Sequence, residues 1–152
     1  HAIMLLLAVA RRVVEADARI KAGGWWAPEG PRMVELSGKR ALVVGYGRIG
    51  TRVAAFLRGF AMRVGVHDPL YHPPRIAADG NVAVRDLHAA LADADVVTLH
   101  CPLNAETRHL LNREAFAAMK PGAILVNTSR GGVVDEAALI EALEAGKLMG
   151  AG

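Results

Sequence analysis

The stretch "RALVVGYGRIGTRVAAFLRGF", residues 40–60, decides the fold. Four apolar residues after Arg40 run straight into Gly45, and beyond two further glycines a helical pattern runs from about Ile49 to Phe60. A short apolar run closed by glycine reads as a buried strand, and the periodic segment after it reads as a helix. Gly45, Gly47 and Gly50 therefore stand at a strand-to-helix turn. The first glycine permits the tight turn, the second lets the backbone approach a pyrophosphate, and the third lets helix and strand pack closely. The start of the helix adds free N–H groups and the positive end of its dipole, which suit a phosphate.

The next strand strengthens this reading. "MRVGVHD" (62–68) ends on Asp68, eighteen residues beyond Gly50, close to the roughly 20 expected for a ribose-binding carboxylate. A carboxylate there accepts hydrogen bonds from a free ribose diol and repels a 2′-phosphate, which favours NAD over NADP. The plainer alternative is that Asp68 only begins the turn "DPLY".

Working outward, apolar strands keep alternating with helices. After a proline-rich loop, "NVAV" (81–84) reads as a short third strand and "DLHAALADA" (86–94) as a helix opened by Asp86. "DVVTLHCP" (95–102) is the next strand, and "NREAFAAMK" (112–120) a helix with Asn112 as N-cap. "AILVN" (123–127) is another strand, "DEAALIEALEAGK" (135–147) a helix opened by Asp135, and "LMGAG" the start of one more strand. Apolar strands alternating with helices predict a parallel sheet covered on both faces, a doubly wound α/β (Rossmann) fold. Residues 40–152 are assigned to that domain, cut off at its C-terminal end. Before it, 25–39 read as a connector and 1–24 as a helical segment. Within that segment residues 2–22 are expected to form one long helix, too apolar at its start to face water on all sides. It must pack between layers or against a partner chain.

Composition narrows the function classes. The 152 residues are 53% hydrophobic and 22% charged, with a net charge of +3, a globular profile whose arginines are scattered. A nucleic-acid footprint would need them clustered, so no nucleic-acid partner is expected. The opening apolar run of "HAIMLLLAVARR" is far short of the roughly 20 residues that span a bilayer, and no membrane partner is expected either. A single cysteine, Cys101, excludes an internal disulfide framework and a cysteine-based zinc site, and fits a reducing, cytoplasmic compartment.

An adenosylmethionine-dependent methyltransferase would also offer a glycine turn and a ribose acid. The second half of the chain decides against it. "VVGYGRIG" with "VGVHD" after it is similar to the cofactor signature of the D-isomer-specific 2-hydroxyacid dehydrogenases. "DVVTLHCPLNAETRHLLN" (95–112) and "MKPGAILVNTSRGGVVDEAAL" (119–139) resemble that family's later segments, in the right order and across essentially the whole chain. Within that family the segments resemble those of phosphoglycerate dehydrogenase and the glyoxylate/hydroxypyruvate reductases.

The resemblance implies an NAD-dependent oxidoreductase passing a hydride between NAD(H) and a small D-2-hydroxy or 2-oxo acid. It also implies roles residue by residue. Arg48 and Ile49 lie beside the pyrophosphate, Cys101 and Pro102 near the adenosine, and Thr107 near the cofactor. Thr128 and Ser129 border the nicotinamide, and Arg130 binds the substrate carboxylate as the catalytic cation. The chemistry suits Arg130, because a guanidinium pairs bidentately with a planar carboxylate and stays charged at any working pH. The competing reading makes Arg130 a structural ion-pair partner of Asp135 or Glu136. Cys101 as a nucleophile has no base placed beside it, and His67 and His100 read as packing residues. No metal site is expected. The family's general acid, a histidine oriented by a glutamate, lies beyond the last residue here, and none of the six histidines takes its place. The long first helix resembles the family's inter-domain helix at a two-fold interface, which implies a homodimer. A non-catalytic NAD-sensing module of the corepressor kind carries the same motifs, as do formate- and phosphite-oxidising relatives.

Overall fold

A computed structural model describes residues 1–25, 33–70 and 73–152; positions 26–32 of the connector, Tyr71 and His72 lie outside them. Six strands form one sheet: β1 (Arg40–Val44), β2 (Arg63–His67), β3 (Val82–Ala83), β4 (Val96–Leu99), β5 (Ala123–Asn127) and β6 (Leu148–Ala151). Their spatial order is β3-β2-β1-β4-β5-β6, and every pairing is parallel. This is the doubly wound Rossmann order, with its reversal between β1 and β4.

The strand pleat sorts the core into two layers. Ala41, Val43, Val64, Val66, Val96, Ile124 and Val126 point to one face. They meet α1 (Ala2–Ala10), α3 (Gly50–Gly59) and α4 (Pro73–Ala78). Leu42, Val44, Val97, Leu99, Ala123 and Leu125 point to the other, against α5 (Leu87–Asp93), α6 (Arg113–Ala118) and α7 (Glu136–Glu144). Three of these helices begin where the sequence sets an N-cap. Asp86, Asn112 and Asp135 accept from the backbone N–H of Ala89, Ala115 and Ala138 at 3.0, 2.9 and 3.2 Å. Each bond satisfies a donor that the first helical turn leaves orphaned.

Three expectations need correction. Residues 2–22 do not form one helix: α1 stops at Ala10 and α2 (Val13–Lys21) starts afresh. Arg12 sits between them in the left-handed region, φ 48°, and its N–H closes the last turn onto the Val9 carbonyl. The break has a packing cause. Ala2, Leu6 and Ala10 bury one stripe of α1, whereas no residue of α2 is buried. Arg12 then folds back to pair with Glu15 at 2.8 Å. The second correction concerns the proline-rich loop, which contains α4. Proline at a first helical position loses no hydrogen bond and arrives with helical φ. The fourth strand also ends earlier than 102, at Leu99, where its neighbour β1 stops at Val44 and turns away at Gly45 with φ +92°.

Candidate functional site

The site is built on the carboxyl edge of the sheet around the β1–β4 reversal. Gly45 has φ +92°, a conformation that L side chains rarely adopt. A Cβ there would also lie 2.5 Å from the Cys101 backbone nitrogen. A Cβ on Gly50 would collide with the Gly45 carbonyl oxygen. Gly47 differs: a Cβ there would meet nothing within 4 Å. Two glycines are thus demanded by the fold, while the third faces open space next to the start of α3. That arrangement fits a ligand whose phosphates approach the backbone at Gly47. Thr51 steadies it by donating its hydroxyl to the Gly47 carbonyl at 2.9 Å. Arg48 and Ile49 are exposed at the same mouth.

Asp68 follows β2 and does two local jobs. Its Oδ2 accepts from the Tyr46 N–H at 2.6 Å, bracing the glycine turn, and its Oδ1 accepts from the Leu70 N–H at 2.9 Å. The turn-forming role is therefore real. It also fixes the half-buried carboxylate beside the glycine turn, with lone pairs to spare.

Past β4, His100 is hydrogen-bonded through Nε2 to the Thr98 hydroxyl at 2.9 Å. Burial pushes its pKa down to about 4, so the ring is neutral and unsuited to giving up a proton at neutral pH. His67 holds the Val84 carbonyl at 3.1 Å. Cys101 is buried against Gly45, and that burial raises its thiol pKa, so it is an inert thiol. Pro102 is exposed and its carbonyl accepts from the Thr107 hydroxyl at 2.6 Å. Thr107 also accepts from the Asn104 N–H at 2.9 Å, so its hydroxyl closes its own loop.

Past β5, Asn127 organises the turn, a role that the sequence did not single out. Its Oδ1 accepts from the Ser129 N–H and hydroxyl at 3.0 and 2.7 Å, and its Nδ2 donates to the Arg130 carbonyl at 3.0 Å. An Asn at a strand end just before a polar pair is the signal that would have found it. Thr128 and Ser129 are half-buried here, and the Thr128 hydroxyl lies 3.5 Å from His100 Nδ1. Arg130 is exposed, in extended conformation, and its Nη1 donates to the Ser129 carbonyl at 2.8 Å. Among the described residues no acid lies within ion-pair distance of it, Asp135 and Glu136 included. No group of metal-ligating side chains is found among the described residues.

Residues 3–152 match the family described as D-isomer specific 2-hydroxyacid dehydrogenase, NAD binding domain. The chain belongs to this family. It is 43% identical over 151 residues to a D-3-phosphoglycerate dehydrogenase of Archaeoglobus fulgidus, covering 99% of this chain and 28% of the relative. It is 41% identical to a glyoxylate reductase of Thermococcus litoralis, covering 99% and 47%. Its fold superposes on an Aquifex aeolicus D-lactate dehydrogenase complexed with NAD and lactic acid, with TM-score 0.93, 34% identity and coverage of 99% and 45%. The chain thus spans less than half the length of each of these relatives. A corepressor-like module gains no support from them. No described helix is long and apolar enough to cross a membrane.

Proposed function

We propose that the protein is an NAD-dependent dehydrogenase of small D-2-hydroxy acids, with Arg130 as its carboxylate anchor. The observation that carries this reading is an exposed guanidinium without an acid partner among the described residues, on the same sheet edge as the glycine turn. An arginine so placed lacks its counter-ion, and a substrate carboxylate supplies one. NAD(H) brings the hydride. Gly45, Gly47, Arg48, Ile49 and Gly50 would hold its pyrophosphate, Asp68 its adenosine ribose, Cys101 and Pro102 would line its adenosine half, and Thr107 would lie near the cofactor. Thr128, Ser129 and Arg130 would border the nicotinamide. Arg130 fixes the acid in a forked contact, so that the 2-carbon is presented in one orientation, which hydride transfer requires. Its charge also polarises the neighbouring carbonyl. His100 is not the proton donor, since it is neutral and engaged with Thr98.

Among small oxo acids, glyoxylate, hydroxypyruvate and pyruvate, together with phosphorylated three-carbon acids, are the substrates to try, given the relatives named above. The test is NADH oxidation by the full-length protein with each acid in turn. Turnover of at least one is expected. NADH binding without turnover of any of them would overturn the enzyme reading and leave a nucleotide-sensing module.

The apolar N-terminal segment supports a homodimer. Val14, Ile20 and Trp25 are 74%, 58% and 78% exposed, and Phe56 of α3 is 60% exposed, apolar side chains that a partner chain would cover. Sedimentation should give a dimer that Ile20→Asp weakens. A monomer at high concentration would contradict this.

A further inference from the structure

Of the three large side chains in the glycine turn, Arg48 and Ile49 face outward and Tyr46 is turned inward. Tyr46, between Gly45 and Gly47, is 1% exposed and packs in the layer containing Val53, Leu57 and Ile76. Its hydroxyl donates to Asp79 Oδ2 at 2.9 Å and accepts from Asn81 Nδ2 at 2.7 Å. Asn81 is itself 6% exposed, and its Oδ1 accepts from Arg58 Nη1 at 2.7 Å, in the last turn of α3. At its other end the Tyr46 N–H reaches Asp68. One residue of the turn is therefore held at its backbone by the end of β2 and at its side chain by the segment between α4 and β3.

This network is more than packing requires. Phenylalanine would fill the same volume without burying a hydroxyl and a carboxamide, groups that are costly inside unless each is satisfied. Gly45 and Gly47 have no side chains, so Tyr46 supplies the side chain that anchors the turn from beneath. Burial and the neighbouring Asp79 raise the phenol's pKa, so it remains a donor. We propose that Tyr46, through its hydroxyl bonds to Asp79 and Asn81, is a positioning residue that holds the glycine turn in its pyrophosphate-binding shape before the cofactor arrives. The inference rests on the NAD reading above. A preorganised turn spares the ordering cost that a loose one would incur on binding.

The test uses the full-length protein and compares NADH with adenosine, which lacks the phosphates. Tyr46→Phe should weaken NADH about five- to tenfold, the worth of about one hydrogen bond, and leave adenosine affinity unchanged. Asp79 is exposed, so Asp79→Leu cuts the donated one of the two hydroxyl bonds without touching the core and should weaken NADH in the same direction, by no more than Tyr46→Phe. Asp79→Asn retains an acceptor oxygen and should restore near-unmutated binding, and the Tyr46→Phe/Asp79→Leu pair should be no worse than Tyr46→Phe alone. NADH affinity within twofold of the unmutated protein in both single variants would overturn the inference. So would a loss shared equally by adenosine, which a merely structural role would give. Failure of the unmutated protein to bind NADH would overturn the cofactor reading as well.

Discussion

Replacing two neighbouring glycines should separate folding from binding. At Gly47 a side chain enters space that is open out to 4 Å, so Gly47→Val should fold. Its stability should change by roughly 0.5 kcal/mol or less, the scale of a β-branched residue near a helix start. The valine methyls would then stand between the backbone N–H groups and any pyrophosphate. Losing that close approach should weaken NADH at least 100-fold, about 2.8 kcal/mol. At Gly45 the opposite is expected. Gly45→Ala adds a left-handed strain of roughly 1–2 kcal/mol and forces a Cβ to 2.5 Å from the Cys101 nitrogen, so β1 and β4 must part. With the clash added to the strain, its thermal midpoint should fall by several degrees or more, given that about 1 kcal/mol moves the midpoint of a domain this size by roughly 2–4 °C. The assay pairs circular-dichroism melting with calorimetric NADH titration on both variants. A folded Gly47→Val protein that still binds NADH within tenfold would refute the argument that the turn exists for a phosphate.

Other consequences are checkable in the same way. Asp68→Ala should reduce the preference for NADH over NADPH, and it should also lower NADH affinity through the lost Tyr46 contact; equal affinity for both cofactors in the unmutated protein would contradict the ribose assignment. His100 has a folded pKa of about 4 against an ordinary 6.5, so it adds no pH dependence above 6.5. As pH falls from 6.5 to 4 the unfolded chain gains a proton that the fold refuses, and stability should decline across that window. His100→Gln should flatten that part of the melting-versus-pH curve, and an unchanged slope would mean that the ring is solvated.

The strand-and-helix alternation was legible because each element carries its own period and its own cap. Asp86, Asn112 and Asp135 are local signals with local partners. The three glycines were legible for the same reason. The break at Arg12 was not, since no glycine or proline marks it and the cause is where α1 packs. Proline misled in the other direction, reading as loop where Pro73 opens α4. Among candidate site residues, the turn and Asp68 come together as expected on one sheet edge. Tyr46 escaped notice because its partners, Asp79 and Asn81, lie more than thirty residues away in what reads as an ordinary "DGN" turn. The loop bonds of Thr107 to Pro102 and Asn104 were likewise not legible, since its hydroxyl reads from the sequence only as a polar group near the cofactor. Long-range hydrogen bonds leave no period in a sequence.

The most direct test is Arg130→Lys in the full-length protein, with NADH affinity and kcat/KM for a 2-oxo acid measured side by side. Lysine keeps the charge and loses the fork, and among the described residues the Arg130 side chain hydrogen-bonds to the Ser129 carbonyl and not to the glycine turn. NADH affinity within about twofold of the unmutated protein, with kcat/KM lower by at least 100-fold, or about 2.7 kcal/mol of transition-state binding, is the expected result. Unmutated values for both quantities would make Arg130 a surface cation and contradict the proposed role.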